Sequence, residues 1–90
     1  MEEIEATISG RVQLVMFRDF AQRKARALKL GGFVKNNNDG TVTAIAQGEK
    51  VALEAFITEL KKGPFLSRVD SVEVRWRIPQ SAYQDFSITY

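Results

Sequence analysis

The spacing of hydrophobic and polar residues changes period several times along this chain, and each change marks an element. Ile4, Ala6 and Ile8 alternate with Glu5, Thr7 and Ser9, the period of a strand with one buried face, which predicts a strand over Ile4 to Val12. From Phe17 the period lengthens. Phe17, Phe20, Ala21, Ala25 and Leu28 share one helical face, predicting a helix over Phe17 to Leu30 with Gly31-Gly32 as its stop. Phe33 to Lys35 reads as a short strand. Asn36 to Gly40 is a dense turn signal in which Asp39-Gly40 favours a hairpin. The next strand, Thr41 to Gln47, places Val42, Ala44 and Ala46 on one face and ends at Gly48. A second helix over Lys50 to Lys62 carries the stripe Ala52, Leu53, Phe56, Ile57 and Leu60, and Gly63-Pro64 stops it. Val72, Val74, Trp76 and Ile78 alternate with charged residues in a strand over Asp70 to Ile78. After Pro79, the segment Tyr83 to Tyr90 carries Phe86 and Ile88 at strand spacing. Both helical stripes read as core faces, and Trp76 as a core or sheet-face anchor.

The order β-α-β-β-α-β plus a terminal strand is the split βαβ pattern. It predicts an α+β, ferredoxin-like sandwich in one domain over residues 1–90: an antiparallel sheet with two helices on one face and an extra C-terminal strand. The strand–helix–strand crossover makes the first two strands parallel, with the third able to lie between them. Their C-terminal ends then emerge at the same edge of the sheet. Arg18 follows one of those ends and Asn36 sits at the other.

The turn Gln13 to Met16 between the first strand and helix gathers free backbone N–H groups at a helix N-terminus, where anions bind. Arg18 lies close by, and a cation there opposes the helix dipole unless an anion lies between the two. On these residues alone, Arg18 also reads as a solvated arginine and Asn36 as a turn residue. Composition narrows the chemistry. Among 90 residues, 44% of them hydrophobic, there is no cysteine and no histidine, which excludes disulfides, Cys- or His-based metal sites and nucleophile–histidine pairs. No metal and no cofactor is expected. Met1-Glu2-Glu3 is followed by no apolar run and no stretch reaches membrane-spanning length, so a cytoplasmic protein without a membrane partner is expected. Net charge is +2, but the basic residues are scattered, and Arg23, Lys24, Arg26 and Lys29 read as the solvated face of a helix. An RNA-binding domain of this topology stacks bases on aromatics of a central strand, and Thr41 to Gln47 has none, so no nucleic-acid partner is expected.

Three stretches carry a resemblance. Gly10-Arg11-Val12-Gln13-Leu14-Val15-Met16-Phe17-Arg18 resembles the first acylphosphatase motif, Gly-x-Val-Gln-Gly-Val-x-Phe-Arg. Gly32-Phe33-Val34-Lys35-Asn36, then Gly40-Thr41-Val42, then Gly48, is similar to the family's second motif in residue types and spacing, and Tyr83 to Ile88 resembles its last strand. The resemblance implies metal-independent hydrolysis of a small-molecule acyl phosphate to a carboxylate and inorganic phosphate. It matches Arg18 to a phosphate-binding arginine and Asn36 to a water-positioning asparagine. The chemistry agrees. A carboxylate leaves with little protonation, so a histidine acid is dispensable. Arg18 offers a planar fork for two oxygens, and the backbone N–H groups of Gln13, Leu14, Val15, Met16 and Phe17 offer a cradle for the others. The Asn36 amide can hold a water but cannot act as a base, which leaves the substrate phosphate to accept the proton. A monomer is expected. The chain departs from the motif at Leu14, where the family has glycine. A leucine forced to positive φ costs roughly 1–2 kcal/mol, so the loop is then reshaped, loses part of its cradle, or Leu14 simply adapts. The alternative function is a catalytically weak or inactive anion-binding module on the same fold.

Overall fold

In the computed structural model, which describes residues 1–90, the first alternation does what its period implies: Ile4, Ala6 and Ile8 are fully buried in β1 (Glu2–Arg11). The other elements are α1 (Phe17–Ala27), β2 (Gly31–Asn36), β3 (Val42–Gly48), α2 (Lys50–Lys62), β4 (Arg68–Arg77) and β5 (Phe86–Thr89). The strands form one sheet in the order β4-β1-β3-β2-β5, with both helices packed on one face. Phe17, Phe20, Ala21 and Ala25 of α1 and Leu53, Phe56 and Leu60 of α2 are buried. The Phe56 ring meets Phe86 of β5 edge-on, with centroids 5.7 Å apart. No helix is long and apolar enough to cross a membrane.

β1 is antiparallel to β3 and β4, and β2 is antiparallel to β3, so β3 does lie between the parallel pair β1 and β2. The sheet is mixed rather than antiparallel throughout, because β5 runs parallel to β2. The connection explains this. β4 ends at Arg77, opposite Glu3, at the same end of the sheet where β2 begins. A chain that leaves β4 there and crosses to the far edge re-enters beside the start of β2, running in its direction.

The connection, residues 78–85, crosses the face without helices. Tyr83 packs edge-on against Phe33, 5.7 Å between centroids. On this face Gln47 is only 3% exposed. Its Nε2 donates to Glu3 Oε1 at 2.7 Å and to the Ser81 carbonyl, while its Oε1 accepts from the Tyr83 N–H at 3.1 Å. Arg77 closes on the other oxygen of Glu3. A buried amide and carboxylate are thus fully engaged, as their burial demands.

The boundaries on either side of Gly31-Gly32 depart from the pattern. α1 ends at Ala27 rather than Leu30, and the left-handed residue beyond it is Lys29, at φ 60, not a glycine. Gly31 and Gly32 belong to β2 instead. Gly32 has φ 144, and a Cβ there would overlap the Ile45 carbonyl of the neighbouring strand. A Cβ at Gly31 would overlap the Tyr83 carbonyl of the connection, so the glycine pair answers close approaches to a strand and to the segment crossing over it, not a helix stop. β2 accordingly extends to Asn36, which pairs with Val42. Of the two places expected for Trp76, the core is ruled out and the sheet face holds: opposite Ile4 on the edge strand β4, it is 42% exposed.

Candidate active site

The site begins at an irregularity in β1. The register with β4 shifts between Ser9 and Gly10, and Gly10 has φ 123 with a Cβ position that would overlap the Arg68 carbonyl. This bulge redirects the chain into residues 12–16, a loop anchored by Val12, 1% exposed. Leu14 and Met16 both have φ 62, while Val15 between them does not share the left-handed conformation. Alternation of hand along a loop curls successive N–H groups into a concave nest. Met16 is the N-cap of α1 and supplies no side-chain cap. The protein provides no acceptor for the backbone N–H groups of residues 13–17, and the first α-helical bond from this end runs from the Phe20 N–H to the Met16 carbonyl at 3.0 Å. An uncapped helix end joined to a nest is a built arc of donors.

Two side chains face the arc across a cavity of about 320 Å³, whose walls include Val12, Leu14, Met16 and Phe17 as well as Arg18 and Asn36. Arg18 extends from the first turn of α1. Its Cζ lies 4.7 Å from the Tyr90 ring centroid, and its Nη1 is 3.5 Å from the Thr89 carbonyl, too far for a strong hydrogen bond. Its donors are therefore steered but not consumed. Asn36, at the end of β2, has a buried Oδ1 with no hydrogen-bond partner. Such an atom is costly unless something outside the protein donates to it. Asp19, near the same cavity, has its carboxylate paired to Arg23 at 3.0 Å, which offsets a negative charge beside an anion site.

The structure thus brings Arg18, Asn36, Leu14, Met16 and Phe17 to one cavity. The side chains of Gln13 and Val15 go elsewhere, so only their backbone groups belong to the arc. Val15 packs against the core. Gln13 Nε2 donates to the Asn37 carbonyl at 2.8 Å and the Thr41 carbonyl at 2.9 Å. This side chain joins the loop to the hairpin that carries Asn36, a role the motif does not disclose. The hairpin has its own ties: Asn37 Nδ2 donates to the Thr41 and Thr43 hydroxyls, and Asp39 Oδ1 accepts from the Thr41 hydroxyl at 2.6 Å and N–H at 3.0 Å. The Thr41 hydroxyl is the main reason the Asp39 carboxyl stays below its ordinary value of 3.8. Tyr90 and Thr89 were also not foreseen beside Arg18. Nothing in local sequence places them there, because their position depends on β5 lying next to β2.

The model of the family described as Acylphosphatase matches residues 4–88. The chain belongs to the acylphosphatase family. An acylphosphatase from Thermus thermophilus is 50% identical, over 84% of this chain and 86% of its own length. One from Salinibacter ruber is 40% identical over 97% of this chain and 92% of its own. The crystal structure of acylphosphatase from Bacillus subtilis superposes with a TM-score of 0.97 at 38% identity, covering 100% of both chains. The chain is thus an enzyme of the acylphosphatase family on a ferredoxin-like α+β fold. Against the acylphosphatase motif, Leu14 takes the left-handed conformation that glycine adopts freely. The loop accommodates the replacement through the backbone of Leu14, at a cost of roughly 1–2 kcal/mol for an L residue. Chemically the site offers cationic and N–H donors for anionic oxygens, beside the side-chain amide of Asn36.

Proposed function

We propose that the chain hydrolyses acyl phosphates to a carboxylate and inorganic phosphate without a metal, as a cytoplasmic monomer. The observation that supports this reading most is the orphan Oδ1 of Asn36, set across one cavity from Arg18 and an uncapped arc of N–H groups. In this mechanism the phosphoryl oxygens sit in the arc formed by residues 13–17, and the Arg18 guanidinium turns from its long contact with Thr89 to grip two of them. The Asn36 side-chain amide turns toward the cavity, hydrogen-bonds the attacking water and holds it in line with phosphorus. The water oxygen bonds to phosphorus, the bond from phosphorus to the acyl oxygen breaks, and the electron pair leaves with the carboxylate. The water's proton passes to a phosphoryl oxygen, because the amide cannot take it. Leu14 at φ 62 keeps the loop in the form a glycine would give it, so the weak or inactive anion-binding module has no observation in its favour over this reading.

The two roles predict different losses. Arg18→Ala is expected to weaken competitive inhibition by inorganic phosphate by about 10²-fold or more, since it removes a charge-assisted clamp. Asn36→Ala is expected to lower turnover of benzoyl phosphate by roughly 10²–10³-fold while leaving phosphate inhibition within about threefold. Steady-state assays with and without chelator measure both. Equal losses of phosphate affinity in the two variants would show the roles wrongly divided. Absence of turnover in the wild type, at high enzyme concentration, would overturn the hydrolase reading.

A further inference from the structure

Leu14 and Met16 combine two unfavourable features. Each is a non-glycine residue at φ 62. Each also gives a large apolar side chain to solvent: Leu14 is 100% exposed and Met16 70%. Strain of this kind persists where the surroundings over-determine it, typically at ligand sites, and an exposed apolar group gains nothing from the core. Neither side chain belongs to the core. Both border the cavity shared by Arg18 and Asn36, and the rim continues with Ile88 and the exposed ring of Tyr90. The volume, about 320 Å³, exceeds what a phosphoryl group fills and reaches the lower end of small-molecule pockets, ~300–1,000 Å³. The site is divided: N–H groups and a guanidinium at the loop and first helical turn, apolar side chains around the mouth. A ligand that matches it has an anionic end and an apolar end.

We infer that Leu14 and Met16 are specificity-determining residues that contact the acyl group, and that they direct the site to acyl phosphates with an aromatic or branched apolar acyl group in preference to acetyl phosphate. The inference rests on the hydrolase reading for its reaction and on the rim for its selectivity. The backbone of the loop serves the phosphoryl group, which every substrate shares, and the side chains serve the part that differs. Their left-handed conformation is what turns them outward to the mouth while their N–H groups stay in the arc.

The test compares kcat/KM for benzoyl phosphate and acetyl phosphate in the wild type, Leu14→Asn and Met16→Asn. Asparagine tolerates the left-handed conformation and removes the apolar surface. A change in loop geometry or folded fraction acts on both substrates and cancels in the ratio. The wild type is expected to favour benzoyl phosphate by about tenfold or more, and each variant to reduce that preference by roughly three- to tenfold. A parallel calorimetric arm measures benzylphosphonate against methylphosphonate, which requires no turnover, with the same order expected. Preference ratios equal in wild type and both variants would overturn the inference, as would equal binding of the two phosphonates. An aryl preference lost in the variants, in a protein that turns over neither substrate, would sustain the rim and overturn the hydrolase reading.

Discussion

Leu14 pays nothing into packing, being 100% exposed, yet its backbone stands at φ 62. That conformation costs an L residue roughly 1–2 kcal/mol, against the roughly 0.5–1 kcal/mol by which glycine's extra freedom favours the unfolded chain. Leu14→Gly is therefore expected to be as stable as the wild type or more so, by up to about 1.5 kcal/mol, read as an unchanged or higher midpoint in urea. A lower midpoint would show an unstrained leucine. The departure at this position was visible in the sequence, but its φ was not, since three loop responses fitted the same letters. That Arg18 and Asn36 meet at one cavity was legible because Arg18 follows the end of the first strand, Asn36 closes the second, and each falls on a motif position. The Gln13 side chain was not. Its partners are main-chain carbonyls of Asn37 and Thr41, which any residue there would present.

Helices were the most readable elements, since both present one continuous apolar stripe to a single sheet face. Their ends were less readable. A glycine pair after a helical stripe signals a stop, but it equally signals a place where backbones come too close for a Cβ, and at Gly31-Gly32 the second need prevailed. The β2–β3 hairpin carries a pH-dependent element of its own. Asp39 accepts from both the hydroxyl and the N–H of Thr41, and its carboxyl is held below the ordinary 3.8. A depressed folded value means the stabilisation is present above about pH 4 and is lost as pH falls through the folded value. Asp39→Asn should therefore lie below the wild type in urea midpoint at about pH 6, with the gap closing toward about pH 2. A gap that stays constant with pH would remove the carboxylate from this account.

At the scale of the whole molecule, the two polar constructions occupy opposite ends of β1. The knot around Glu3 and Gln47 is separated from Arg11, where the loop begins, by roughly 26 Å at ~3.3 Å per residue. Gln47→Ala strips one partner from Glu3 and the ties to Ser81 and Tyr83, so a loss of about 2–4 kcal/mol in unfolding free energy is expected. Inhibition by phosphate should stay within about twofold of the wild type under conditions where the variant remains folded. A larger change would show that the two ends communicate through the sheet. The order of the three inner strands, β1-β3-β2, followed from the crossover and the hairpin. The seat of β5 did not, since a connection as long as residues 78–85 reaches either edge. That seat, with β4 at the other side, leaves two open edges. An unpaired strand edge is a template on which another molecule can add a strand, the first step toward fibrils. β4 is ten residues long, but Arg68, Asp70, Glu73, Arg75 and Arg77 all stand exposed along it, and an incoming strand would have to strip water from them. β5 offers only four residues. One border is defended by charge and the other by brevity, so the same strand order that assembles the pocket also discourages the sheet from growing beyond one molecule.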